Sequence, residues 1–122
     1  MTSEVVFDKR EQLEKIREVL LRGERVEAVF DLKGAQTGFV GLTDRRLIIY
    51  DKAFLGGRKA MVSIPYKHIV ALGSEDEGGL LTPSQLVGSK LVVQTAARNI
   101  EMEFRGREKA HWAYQVILQR IL

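Results

Sequence analysis

A chain of 122 residues with 45% hydrophobic and 29% charged side chains has the make-up of one folded domain, neither disordered nor membrane-spanning. Its net charge of +3 is too small to define a partner, and the absence of cysteine excludes disulfides, thiolate nucleophiles and cysteine-held metals. No apolar run approaches the roughly 20 residues that cross a bilayer, and Met1-Thr2-Ser3-Glu4 lacks the layout of a signal peptide, so a cytoplasmic address is expected.

The first predicted element is a helix over residues 9–22. Asp8 with Glu11 resembles a capping box, Leu13, Ile16, Val19 and Leu20 recur at helical spacing, and Gly23 offers a left-handed stop. From Glu24 the period changes to two. Val26, Ala28, Phe30 and Leu32 alternate with Glu27, Val29 and Asp31, as in a strand with one buried face. A turn at 34–37 leads to a second strand, Gly38 to Thr43, and a tight polar turn through Asp44 leads to a third, Leu47 to Tyr50.

Phe54-Leu55-Gly56-Gly57 reads as a loop, because paired glycines have no use inside a strand. A fourth strand, Lys59 to Ile64, ends at Pro65, and a fifth runs from Tyr66 to Leu72. Residues 73–88 show no sustained period, and a loop of that length in a compact domain is usually functional or disordered. Lys90 to Thr95 and Asn99 to Phe104 supply strands six and seven, the latter alternating strictly through Ile100, Met102 and Phe104. A closing helix from about Arg107 to Leu122 carries Ala110, Ala113, Tyr114, Ile117 and Ile121 on one face.

Seven short antiparallel strands followed by one amphipathic helix resemble the pleckstrin-homology (PH) fold. Gly38-Phe39-Val40-Gly41-Leu42-Thr43-Asp44-Arg45-Arg46-Leu47-Ile48-Ile49-Tyr50-Asp51, followed by Ile64-Pro65-Tyr66-Lys67-His68-Ile69, is similar to a stretch of bacterial PH-like proteins. Trp112 falls near the start of the last helix, where PH domains carry a tryptophan. The resemblance implies a mainly β fold with helices: a partly open, seven-stranded antiparallel barrel of two near-orthogonal sheets, capped by the C-terminal helix. It implies residues 1–23 as a helical extension, residues 24–122 as the PH-like domain, and Trp112 as structural core. Phosphoinositide-binding members place a lysine late in the first strand and basic residues on the second. Lys33 stands near the first position, but Thr37-Gly38-Phe39-Val40-Gly41 supplies no basic partner, which speaks against tight inositol-phosphate recognition.

The connectivity of that fold would gather Lys33, Lys52, Arg58, Lys59 and Arg98 around Phe54 and Leu55 at one end. Residues 28–73 hold seven basic groups against three acids, and cations ringing an apolar tip suit peripheral contact with an anionic membrane face or lipid headgroups. The same tip could fold back on the barrel or meet another subunit. Arg45 and Arg46 belong to a hairpin turn at the opposite end, where a structural role with Asp44 is expected. Leu80, Leu81, Leu86 and Val87 make the long loop more apolar than a solvated one, so they either pack over the barrel or form a protein–protein surface. The apolar stripe of the N-terminal helix adds to the case for a homo-oligomer.

No catalytic, cofactor or metal site is expected. His68 and His111 belong to no spaced ligand set, and Ser74-Glu75-Asp76-Glu77 lacks the spaced ligands of a calcium loop. No nucleophile elbow, phosphate loop or dinucleotide fingerprint occurs. An oligonucleotide-binding reading would need Phe39 and Tyr50 as stacking platforms, and nucleic acid is not the expected partner. The expectation is a non-enzymatic interaction module that binds a protein partner or itself, with a weak electrostatic binder of anionic membrane as the alternative.

Overall fold

The computed structural model describes residues 4–33, 38–55, 58–75 and 89–122, and of residues 51–55, 58–60 and 75 it describes the backbone alone. Leu80, Leu81, Leu86 and Val87, expected to pack over the barrel or form a protein–protein surface, lie outside the described residues. The chain is mainly β with two helices and two sheets, and it divides into two compact units, Met1–Pro65 and Tyr66–Leu122.

In the first unit, β1 (Val6–Phe7) leads into α1 (Arg10–Glu18), and β2 (Val26–Asp31), β3 (Gly38–Thr43), β4 (Arg46–Leu55) and β5 (Arg58–Pro65) follow as an antiparallel meander. The sheet order is β1-β2-β3-β4-β5, with β1 parallel to β2 through Val6 opposite Ala28 and Phe7 opposite Val29. Nothing in a two-residue segment gives a periodic signal, so β1 was not expected from the sequence. Its pairing is tertiary: the Asp8 N–H donates to the Val29 carbonyl, and the Asp31 N–H donates to Asp8 Oδ2. Asp8 therefore ties sheet strands together instead of capping α1, whose N-cap is Lys9 with no side-chain hydrogen bond.

α1 lays Leu13 and Ile16 on Val29, Phe39 and Ile48, and all five side chains are buried. Ile16 settles over Gly41 so closely that a Cβ there would stand 2.8 Å from Ile16 Cδ1. A glycine inside a strand costs some stability, and here it admits a close helix approach. Of the apolar stripe expected to add to the case for oligomerisation, Leu13 and Ile16 are thus covered by the chain's own sheet, whereas Val19 is 36% exposed. The helix stops at Glu18, four residues before the predicted end. Leu21 N–H donates to Glu24 Oε1 and Glu24 N–H to the Leu21 carbonyl, a local turn that replaces the last helical turn before Gly23 at φ 82°.

β4 and β5 are longer than expected. Gly38, the first described residue of β3, pairs with Asp51, and β4 continues to Leu55, opposite Arg58 of β5. Phe54 and Leu55, read as loop, are strand residues. Pro65 closes β5 on the sheet edge, where its missing N–H breaks no ladder.

The second unit opens with a 3-10 turn, Tyr66–His68, where a strand was expected; β6 (Ile69–Glu75) starts only after it and then runs three residues past Leu72. The turn buries Tyr66 while Lys67 and His68 stay exposed, which two-residue alternation could not do. β7 (Lys90–Thr95) and β8 (Asn99–Glu103) complete an antiparallel sheet in the order β6-β7-β8. Leu91, Val93, Ile100, Met102 and Phe104 are buried, so the alternation of the seventh predicted strand holds. α2 (Arg107–Ile121) packs on the 3-10 turn, β6 and β7, burying Ala110, Ala113 and Ile117. Trp112, named as structural core, is partly buried on this helix.

Candidate functional site

The best-organised polar cluster in the first unit joins the α1–β2 connection to the β3–β4 turn. Glu24 precedes β2 and Arg46 opens β4, 22 residues apart in sequence. Arg46 Nε donates to Glu24 Oε2 at 2.8 Å and Nη2 to Glu24 Oε1 at 2.9 Å, a bidentate fork. The Glu24 side chain is 0% exposed. Thr43 Oγ1 donates to Glu24 Oε2 and accepts the N–H groups of Arg45 and Arg46, which shapes the turn. Arg46 Nη1 reaches Ser63 Oγ on β5, and Nη2 also reaches the Val19 carbonyl at the end of α1.

The hydrogen bonds from Arg46, Leu21 N–H and Thr43, outweighing the cost of burial, hold the Glu24 carboxyl down at about 2. Arg46 is raised in turn by its hydrogen bonds to Glu24. A matched, hydrogen-bonded ion pair of this kind positions backbone, and it offers no open coordination position or poised base. A structural role is expected for Arg45 and Arg46, with Asp44 pairing with one of them or accepting backbone hydrogen bonds of the turn. Arg46 has a structural role through Glu24 and not Asp44, Asp44 Oδ1 accepts the backbone N–H of Arg25 in the other loop, and Arg45 is exposed. Acidic and arginine residues this far apart leave no local signature, so the pair was missed.

At the opposite end of the same sheet Lys33 is exposed and follows β2, and the Leu32 N–H donates to the Gly38 carbonyl. Lys52, Phe54 and Leu55 lie on β4 past Asp51, and Arg58 and Lys59 on the start of β5; their side chains lie outside the described residues. Five of the expected surface residues therefore fall on the far end of the paired strands β4 and β5. Arg98 belongs to the second unit, exposed in the β7–β8 turn, where its carbonyl accepts hydrogen bonds from Thr95.

Apolar exposure in the first unit concentrates in two places. Val6 is 44% and Phe7 36% exposed on edge strand β1, where the Arg10 guanidinium stands 5.5 Å over the Phe7 ring. Leu21 is 59% exposed between α1 and Gly23. Phe39 and Tyr50 stack on each other at 4.8 Å, with Phe39 buried, so they pack the core under α1. No group of three or more metal-ligating side chains occurs among the described residues, and no described helix is long and apolar enough to cross a membrane.

Two sheets and a C-terminal helix in this order define a PH-like fold. A DUF1696 family protein with a pleckstrin-homology domain from Shewanella loihica PV-4 shares it at TM-score 0.66 and 18% identity, over 94% of both chains. A pleckstrin homology domain from Shewanella amazonensis SB2B does so at TM-score 0.64 and 19% identity, over 93% of this chain and 98% of that one. The bacterial PH domain family profile matches residues 1–121, and the chain belongs to that family. Two Bacillus subtilis (strain 168) proteins are relatives: uncharacterized protein YozO, 30% identical over 74% of this chain and 72% of its own length, and uncharacterized protein YjqA, 39% identical over 60% of this chain. The chain spans 57% of the length of YjqA. PH-like domains generally act as interaction modules that bind proteins or lipids.

Proposed function

We propose that the chain is a non-enzymatic interaction module that acts through contact with a protein partner or with further copies of itself. The observation that carries this reading is edge strand β1. It is two residues long, apolar and exposed, and it sits on a sheet whose inner strands β2 and β3 are nearly all buried side chains. A two-residue edge strand is too short to template much strand addition, so the contact it offers is through its exposed apolar side chains. Leu80, Leu81, Leu86 and Val87 are further candidates for the same contact. Light scattering coupled to size exclusion tests the reading. The expected result is a defined multiple of 13.8 kDa that persists in high salt and that Phe7→Glu or Leu80→Asp breaks down. A monomer at all concentrations, with no protein retained by it, would remove the reading.

One observation favours a second reading, contact with an anionic membrane surface. The far end of the β4–β5 pair carries Lys52, Arg58 and Lys59 along with Phe54 and Leu55, a basic and apolar composition suited to an anionic surface. Each cation near an anionic leaflet contributes about 1 kcal/mol. Sedimentation with phosphatidylserine vesicles would then be lost in high salt and in Lys52→Glu/Lys59→Glu, with Lys33 and Arg98 contributing less. Binding indifferent to salt and to these changes would dismiss it. In either case the protein acts in the cytoplasm, in the second reading at the inner face of the membrane.

A further inference from the structure

The α1–β2 connection and the β3–β4 turn form one cross-tied end of the first unit, and its exposed cations are all arginine. Arg22, Arg25 and Arg45 are exposed there and make no ion pair among the described residues. Two acids at this end are already engaged: Glu24 is turned inward onto Arg46, and Asp44 Oδ1 accepts the Arg25 N–H at 3.0 Å. Glu18 at the end of α1 is exposed. The Asp44 N–H in turn donates to the Arg25 carbonyl at 3.0 Å, so the two loops are laced by a reciprocal pair of bonds. Arg45 Nη2 lies beside Gly23, 3.6 Å from where a Cβ would stand. Leu21, which precedes Arg22 in the chain, is 59% exposed, and Val19 is 36% exposed.

We infer that this end is a docking surface for an acidic linear segment of a partner protein, one whose carboxylates flank an apolar side chain. The inference rests on the interaction reading above and names a surface and a ligand chemistry for it. Three features fix the chemistry. Guanidinium groups present planar forks that match carboxylates two bonds at a time, whereas the far end of the sheet relies mostly on lysine. Loops held by the Arg25–Asp44 bonds and by the Glu24–Arg46 pair are ordered before a ligand arrives, which lowers the entropy lost on binding. Exposed Leu21, adjacent in the chain to Arg22, supplies an apolar anchor in the same connection. A narrow segment fits better than a membrane plane, because a broad anionic surface laid on this end would also meet exposed Glu18, adjacent to Val19.

Fluorescence anisotropy with a labelled peptide of about ten residues, glutamates around a central pair of leucines, tests the surface on the full chain at low and high salt. The expected result is salt-sensitive binding that Arg22→Glu/Arg25→Glu/Arg45→Glu weakens by at least about tenfold, that Leu21→Ser weakens several-fold, and that Lys33→Glu leaves alone. Equal binding by the reversed variant, absence of binding by the wild type, or capture by phosphatidylserine vesicles in preference to the peptide would overturn it. Should the reversed variant fail to fold, Arg22→Lys/Arg25→Lys/Arg45→Lys decides: weaker binding supports the guanidinium forks and unchanged binding rejects them. Mass measured on the same sample separates the two ideas. A multimer that ignores the peptide loses this surface only, and a monomer that ignores it and retains no protein loses the interaction reading as well.

Discussion

Four hydrogen bonds converge on the Arg46 guanidinium, reaching Glu24 twice, Ser63 and the Val19 carbonyl, so one side chain holds the end of α1, the start of β2 and the face of β5. Removing it leaves a fully buried carboxylate without its counter-ion, and breaking a buried pair from one side costs about 3–5 kcal/mol. Arg46→Ala is therefore expected to lower the denaturation midpoint severely, and an unchanged midpoint would mean that water replaces the guanidinium. The pair also sets an acid limit. Glu24 titrates at about 2 when folded against an ordinary 4.5, so its contribution is complete above about pH 5 and disappears as pH falls towards 2. The shift corresponds to on the order of 3 kcal/mol for this buried group. Urea unfolding followed from pH 6 to pH 2 is expected to show that loss in the wild type and a flatter profile in Glu24→Gln.

At the scale of elements, the α1 contact with β3 turns on Gly41. Any Cβ there meets three Ile16 carbons at 2.8–3.0 Å, so Gly41→Val must push the helix off the sheet or force Ile16 out of its rotamer. Overpacking of this kind costs about 1–3 kcal/mol. Faster amide exchange in Arg10–Glu18 than in β8 would identify undocking, and uniform protection would show that the helix accommodates the methyls. Trp112→Ala is expected to cost less than a core deletion, about 1–3 kcal/mol, because the ring is only partly buried. The same elements show what could be read from the sequence. β8 was legible because its pattern is local: Ile100 and Met102 buried, Asn99 and Glu101 exposed. The early stop of α1, the parallel strand β1 and the 3-10 turn at Tyr66 were not, because each is decided by a partner elsewhere in the chain or by a turn too short to have a period. The basic end of β4 and β5 was legible as composition, and only the register showed that its residues fall on two paired strands. The arginine surface was hidden because Glu24, which makes Arg46 structural and leaves Arg45 outward, lies in another loop.

For the whole molecule, the question is whether residues 24–122 stand alone. The sequence sets 1–23 apart as an extension, yet α1 belongs to the first compact unit, and the bacterial PH domain profile matches from residue 1. Deleting residues 1–23 would remove Leu13 and Ile16, whose burial contributes about 1.5–3 kcal/mol each, and would expose Val29, Phe39 and Ile48 to water. It would also remove the Val19 carbonyl from Arg46 and strand β1 from the sheet edge. Against a total stability of about 5–15 kcal/mol for a typical domain, losses of that size leave little margin. The expected outcome is that 24–122 unfolds broadly on heating or binds a hydrophobic dye, while 1–122 unfolds in one sharp step. A sharp transition in the truncated chain would make α1 a detachable cover, and the sheet face beneath it, with the stacked Phe39 and Tyr50, would become a second apolar surface to test for partners.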